Sequence, residues 1–274
     1  MSRPPVVLTI AGSDPSGGAG IQADLKAFSA LGAYGTSVIT ALTAQNTQGV
    51  SGVHVVPTEF VVAQLETLVA DIRLDAIKIG MLANADIVGS VGQFLRRHPY
   101  EHVVLDPVMV ATSGDRLLAD DAVAAIRDLL PLASLITPNV AEAAALLQAP
   151  PARTVADLRG QASALREMGA TRVLIKGGHL DDDREAVDVL LDIDDEVLLR
   201  APRINTVNTH GTGCTLSSAL AALRPQRDSW LQAAQDAKSW LTSALAAADG
   251  LQIGHGHGPV HHFHAIWDHP EPRR

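Results

Sequence analysis

Short, almost uninterrupted apolar runs alternate with longer stretches of helical period along this chain. VVLTIAG (Val6 to Gly12) reads as a buried strand and GIQADLKAFSAL as the helix after it. TSVITALTA follows as a strand. FVVAQLETLVADI is a helix that places Leu65, Leu68, Val69 and Ile72 on one face. DAIKIGM, HVVLDPV, SLITPN and RVLIKGG are further strands, with helical segments between them. Thr154 and Asp157 form a T-x-x-D helix start, and Leu158, Ala162, Leu165 and Met168 make that helix's stripe. Strands apolar throughout and separated by helices predict a mainly parallel sheet covered on both faces. GVSGVHVVP and AVDVLLDIDDEVLLRAP read as small β excursions, the second turning on a water-facing acidic group of Asp192, Asp194 and Asp195.

Composition narrows the class. With 274 residues, 47% hydrophobic and 19% charged, the chain is globular and long enough for a large core. No linker or repeat divides it, so residues 1–274 are expected to form a single domain. A net charge of −9 without a Lys/Arg cluster argues against nucleic acid and anionic membrane as partners. Charges interrupt every long apolar run, and the first apolar segment is too short for a leader. A single cysteine forms no intrachain disulfide, so a cytoplasmic location is expected.

In open parallel sheets ligands sit at the carboxyl ends of strands. Those ends here carry GSDPSGGAG, then Gln45, then Gly80 and Met81, then Asp106, then Thr137 to Asn139, and finally Lys176 with two glycines. GSDPSGGAG lacks the lysine of a Walker loop. Its G-x-G-x-x-A, Gly18 to Ala23, fits a dinucleotide turn, but Gln45 stands where that fold wants an acid. A turn without ligand is equally open. Asp106 suits a metal–phosphate, a substrate hydroxyl or its own turn. Asn139 and Glu142 share a helical face and suit either a water-rich Mg²⁺ shell or a plain helix start. Lys176 suits a phosphate or solvent. The tail GHGHGPVHHFH holds five of the eleven histidines; its spacing matches no zinc pattern and reads as a packed extension.

NTHGTGCT carries the most specific signal. Gly211 and Gly213 allow close backbone approach, and the helix opening near Thr212 offers N–H groups to an anion. The sole cysteine, Cys214, lies in that loop.

In this order, AGSDPSGGAGIQADLK, TALTAQNTQGV, KIGML, VLDPVM with ATSGDRLL, TPNVAEA, IKGGH, NTHGTGCTLSSALAA and GHGPVHHF resemble the hydroxymethylpyrimidine/phosphomethylpyrimidine kinases of thiamin biosynthesis, within the ribokinase-like superfamily. The resemblance implies a three-layer α/β/α fold, ATP and Mg²⁺, a homodimer, and two successive phosphorylations of a small pyrimidine. It implies that Asp24 and Gln45 bond the aminopyrimidine, inside a pocket of Gly12, Ala19, Met81 and Val108. Asp106, Asn139 and Glu142 are similar to the family's Mg–phosphate shell, with Asp106 and Glu142 nearest the metal. Lys176 is similar to its nucleotide-phosphate contact, and Gly211 to Cys214 to its anion hole. The wider superfamily usually has an Asp base where Cys214 stands, and Asn208 replaces the opening Asp of that pattern. A helix N-terminus lowers a thiol pKa and bound phosphate opposes this. Cys214 is therefore expected to assist proton removal modestly, with the surrounding N–H groups mattering more. A pyridoxal or pyridoxine kinase and a non-catalytic pyrimidine-binding protein are the competing readings.

Overall fold

The computed structural model describes residues 3–109, 120–178, 180 and 185–267; the segment ATSGDRLL and the histidine of IKGGH lie outside them. The elements run β1 (Val6–Ser13), α1 (Gly20–Ala30), β2 (Tyr34–Asn46), β3 (Gly49–Val55), α2 (Thr58–Val69), β4 (Ala76–Ile79), α3 (Ala85–Arg97), β5 (Val103–Leu105) and α4 (Asp120–Arg127). They continue with β6 (Leu135–Ile136), α5 (Val140–Leu147), α6 (Val155–Glu167), β7 (Val173–Ile175), β8 (Glu185–Leu191), β9 (Glu196–Pro202), α7 (Thr212–Leu223) and α8 (Trp230–Ala246). They form one nine-stranded sheet in the order β3-β2-β1-β4-β5-β6-β7-β8-β9. The strands β2-β1-β4-β5-β6-β7 are mutually parallel; β3 and β8 run opposite to them, and β9 pairs antiparallel with β8.

Alternation along the strands explains why they are apolar throughout. Leu8, Ile77, Leu105, Ile136 and Val173 face a core made with α2 to α6. Their neighbours Val7, Ala76, Val104, Leu135 and Leu174 face a second core made with α1, α7 and α8. Period-two side chains therefore meet a helix layer on either face, giving three layers. The α6 stripe lies where its pattern placed it, with Leu158, Ala162 and Leu165 buried and Met168 packed at the edge. Each such fully buried leucine contributes roughly 1.5–3 kcal/mol. Thr154 and Asp157 form the expected capping box.

Two features differ from the expectation. The β excursions are not separate: β3 extends the sheet at one edge, and β8 with β9 extends it at the other. In the acidic turn only Asp194 and Asp195 are fully water-facing. Asp192 is half-buried because it accepts from Arg172 Nε at 2.6 Å.

Backbone bonds beyond the strand ends set the rim. Asp106 N–H donates to Ile79 O at 2.8 Å, Thr137 N–H to Leu105 O at 2.9 Å, and Lys176 N–H to Pro138 O at 2.9 Å. The polar residues that follow the strands are thereby lined up along one edge.

Candidate active site

At the centre of the rim stands Asp106, 1% exposed. Its Oδ1 accepts from Lys176 Nζ at 2.8 Å and from Thr137 Oγ1 at 3.3 Å, and its Oδ2 from Ser217 Oγ of α7 at 3.1 Å. Lys176 Nζ also lies 3.8 Å from Glu142 Oε2. Burial opposes the charge on Asp106, but Lys176 and Lys78 outweigh it and hold the carboxyl below the usual range. Burial likewise opposes the charge on Lys176, and Asp106 and Glu142 more than restore it. Glu142 is pushed up to about 7, by burial first and by Asp106 beside it, against the pull of Lys176.

Asn139 and Glu142 form a capping box on α5: Asn139 Oδ1 accepts from Glu142 N–H at 2.9 Å, and Glu142 Oε2 from Asn139 N–H at 2.7 Å. The plain helix-start role is thus present. The same cap also turns Glu142 toward Lys176 and Asp106. Because its folded pKa is raised, Glu142 contributes most to stability at low pH, and that contribution falls as pH climbs through about 7. Glu142→Gln keeps an acceptor for Asn139 and removes the charge. We expect its Tm to exceed wild type at pH 8, with the gap closing toward pH 5. Equal Tm values across that range, followed by circular dichroism, would contradict the assignment.

The α7 N-terminus faces this cluster. Gly211 is its N-cap at φ 76, without a side-chain cap. A side chain there would collide with Gly18 O, so only glycine brings the two loops together. Gly213 has the second constraint: a Cβ would lie 3.1 Å from Lys176 Nζ and 3.9 Å from Asp106 Oδ2. Among the described residues, the N–H groups of Gly213 and Cys214 have no acceptor. Two helix-start donors and a lysine therefore point into one space, which suits an anion.

Burial decides between the opposing influences on Cys214. Its thiol is half-buried and is pushed up to about 11 rather than down. Burial is the main cause, with Asp106 and Asp24 adding, while Lys78 and the Gly20 N–H pull the other way. It is a neutral thiol at neutral pH. Losing a true general base costs about 10²–10⁴-fold in rate. For Cys214→Ala we expect only a few-fold fall in kcat/KM, without a new pH dependence between 6 and 9; a loss of a hundredfold would reinstate the base.

Asp24 is held by internal partners in this structure. Its carboxylate is 0% exposed and accepts from Lys78 Nζ at 2.9 Å through both oxygens, from Thr9 Oγ1 at 2.6 Å and from Ser218 Oγ at 2.6 Å. It ties α1 to β1, β4 and α7. Gln45 is half-buried at the rim, just beyond a register irregularity in the β2–β3 pairing. Such bulges re-aim side chains beside binding sites. Met81, Ala41 and Ala83 form a small apolar cluster joined by Val108. A Cβ on Gly12 would lie 2.9 Å from Met81 Cε, so Gly12 borders the same cluster. Ala83 holds a left-handed backbone at φ 65, a strain that nothing in its sequence signals.

The first glycine loop does not cradle an anion. Ser16, Gly18 and Ala19 all donate their N–H groups to the Asp14 carboxylate, at 2.8, 3.2 and 2.8 Å. The loop is folded around its own aspartate, which also removes the motif for a dinucleotide site. Asp14 in turn contacts His210 Nε2 at 2.7 Å, and that nitrogen lies 3.3 Å from the Gln45 amide nitrogen. Asp14 and His210 were not singled out in the sequence, although both lie inside the two glycine motifs. Asn208 holds the tail: its Nδ2 donates to Asp249 Oδ1 at 2.6 Å and its Oδ1 accepts from Gly258 N–H at 3.0 Å. An aspartate would lose the first of these. His261 and His262 are buried in the packed extension.

Among the described residues, no group of three or more His, Cys, Asp or Glu side chains forms a metal cage. The donors at hand, Asp106 and Glu142, are hard carboxylates. Two such groups suit Mg²⁺, which keeps waters and takes phosphate oxygens for its remaining positions.

The phosphomethylpyrimidine kinase profile matches residues 14–261. The chain belongs to the phosphomethylpyrimidine kinase family. A hydroxymethylpyrimidine/phosphomethylpyrimidine kinase from Escherichia coli is 61% identical over 95% of this chain and 98% of its own length. The ADP complex of Bacillus subtilis pyridoxal kinase superposes with a TM-score of 0.89 at 35% identity, covering 97% of this chain and all of that one. A phosphomethylpyrimidine kinase from Clostridium difficile gives 0.78 at 39% identity, covering 88% and 99%. The three-layer α/β/α, ribokinase-like fold expected from the sequence is the one observed. As a member of this kinase family the chain is a phosphotransferase. Among the described residues no helix is long and apolar enough to cross a membrane.

Proposed function

We propose that this protein transfers the terminal phosphoryl group of ATP to the hydroxymethyl group of 4-amino-5-hydroxymethyl-2-methylpyrimidine, and then phosphorylates the monophosphate to the diphosphate. One observation carries the reading: the α7 N-terminus, with unbonded amides at Gly213 and Cys214, meets the Lys176–Asp106–Glu142 cluster, while Gln45 of β2 meets His210 just ahead of the same helix. Phosphoryl transfer passes through a loose transition state, so positioning and charge neutralisation dominate. The Gly213 and Cys214 N–H groups and Lys176 neutralise charge on the moving phosphate. Asp106 and Glu142 would hold Mg²⁺ through water or phosphate oxygens; when bound, the ion screens the phosphate charges. Proton removal from the alcohol needs no strong base in such a transition state, which accords with a neutral Cys214 thiol.

Gln45, Gly12, Met81 and Val108 form the ring's pocket in this reading, with Ala19 at its edge. The single sheet supports one kinase domain over residues 1–274, working in the cytoplasm on a small molecule rather than on nucleic acid or membrane. Exposed Val53 and Val55, two apart on one face of β3, supply an apolar patch for a homodimer.

Purified protein with ATP, Mg²⁺ and the hydroxymethylpyrimidine should yield ADP with the mono- and diphosphates. No ADP across varied metal and pH would reject the proposal. The likeness to pyridoxal kinases favours pyridoxal as the second reading. Competing the two substrates separates them, and Gln45→Met should weaken the pyrimidine preferentially.

A further inference from the structure

His210 is 6% exposed and stands where three rim segments meet. Its backbone N–H donates to Gly258 O at 3.0 Å. Its ring occupies the space that a side chain at residue 18 would need, so Gly18 is glycine for the sake of this imidazole. Its Nε2 lies between Asp14 Oδ2 at 2.7 Å and the Gln45 amide at 3.3 Å.

Donor and acceptor accounting fixes what this contact is. Burial opposes the charge on Asp14, yet bonds from His210, Ser16 and Ala19 hold it down at about 2. Asp14 is therefore ionised and only accepts, so Nε2 carries the hydrogen and donates to it. A nitrogen donating its hydrogen has no lone pair left for a Gln45 N–H. Thr43 sets a second constraint: its Oγ1 donates to Ser13 O at 2.8 Å and lies 3.2 Å from the other end of the Gln45 amide. With the amide in that orientation an N–H would face the Nε2 hydrogen and Thr43 would have two acceptors. Turning the amide by half a rotation removes the facing hydrogens and the double demand on Thr43, since nitrogen and oxygen exchange places with little change in shape. The Gln45 carbonyl then takes the longer, weaker branch of the Nε2 hydrogen that Asp14 chiefly holds, and its NH₂ donates to Thr43 Oγ1.

An amide has two N–H donors and two carbonyl lone pairs. With one of each spent, Gln45 offers the remaining N–H and the remaining lone pair. A ring nitrogen beside an amino group is the complement of that pair. Pyridoxal lacks an amino group adjacent to its ring nitrogen. We propose that His210, held by Asp14, is a positioning residue that fixes the Gln45 amide in the one orientation matching the aminopyrimidine edge, and so sets ring specificity. This rests on the reading of Gln45 as the pyrimidine contact.

The test is a double-mutant cycle on binding alone. Titration calorimetry without nucleotide measures the hydroxymethylpyrimidine and pyridoxal against wild type, His210→Phe, His210→Gln, Gln45→Leu and the His210→Phe/Gln45→Leu double variant. Each of His210→Phe and Gln45→Leu should weaken the pyrimidine by about tenfold, one hydrogen bond's worth. The double variant should stay within about twofold of the weaker single one, because coupled residues are not additive. His210→Gln, which keeps an N–H in place, should bind nearly as wild type, and pyridoxal should change little throughout. Additive losses, or equal losses for pyridoxal, would overturn the positioning role while leaving the Gln45 contact intact. An unchanged Gln45→Leu would remove both. If wild type does not bind the pyrimidine, the proposed function and the specificity claim fall together. The amide orientation is then decided separately, and also if His210→Phe does not fold, by nuclear Overhauser contacts in the wild-type protein. Gln45 NH₂ signals near Thr43 support the arrangement; signals near the His210 ring refute it.

Discussion

Lys176→Met should lower kcat by about 10²–10³-fold, the usual cost of removing one preorganised donor aimed at developing charge. The KM for the pyrimidine should hardly move. Lys176 Nζ bonds Asp106 Oδ1 at 2.8 Å and lies 3.8 Å from Glu142; the pocket residues Gln45 and Met81 are not among its partners. Before substrate arrives its charge is balanced by these two carboxylates. When a phosphate enters beside the α7 amides, the same ammonium group is already in place, so little reorganisation is needed. Lys176→Arg should not restore activity, because a planar guanidinium does not reproduce the compact ammonium held 2.8 Å from Asp106 Oδ1. Steady-state kinetics with both substrates varied make the measurement. A loss confined to KM for the pyrimidine would place Lys176 in the ring pocket instead.

Lys78→Met should be the most destabilising single change. Lys78 and Asp24 are each 0% exposed, and the ammonium bridges both carboxylate oxygens at 2.9 Å. Burial opposes the charge on Lys78, but Asp24, with Asp106, raises its pKa, so it is a cation throughout the working range. Removing one partner from a buried pair costs about 3–5 kcal/mol, because the other charge remains without compensation. At roughly 2–4 °C per kcal/mol for a chain of this size, Tm should fall by on the order of 6–20 °C. The double variant Lys78→Met/Asp24→Leu should fall less, since no lone charge is left. Thr9 and Ser218 then lose their acceptor, so it should not recover fully. A Tm change of under about 2 °C in Lys78→Met would contradict the buried-pair account.

Why some of this was legible in the sequence, and some not, follows from particular residues. The fold announced itself through strands such as Val103–Leu105 and Val173–Ile175, in which every side chain meets a helix layer. The loop before α7 stood out because Gly211 and Gly213 precede an apolar helix, and the structure gives each glycine a separate steric reason. The buried ion pair of Asp24 was not legible, because a carboxylate in a motif carries no mark of its partner. Lys78 reads in sequence as one polar position inside the strand AIKI, and only the fold brings the two together. The first glycine loop was left open in the sequence for a related reason: Asp14 lies within the same motif as the amides it accepts from, and spacing alone does not show that pairing. Cys214 depended on a balance between burial and helix-start donors that spacing does not weigh. His210 escaped notice because its importance lies in what reaches it from Asp14 and Gln45, far away in the chain.

The most direct measurement is a crystal structure with Mg²⁺, a non-hydrolysable ATP analogue and the hydroxymethylpyrimidine bound together. The terminal phosphate oxygens should lie about 2.7–3.1 Å from the Gly213 and Cys214 N–H nitrogens and from Lys176 Nζ. A terminal phosphate seated instead on the Ser16–Ala19 loop, or away from α7, would contradict the account.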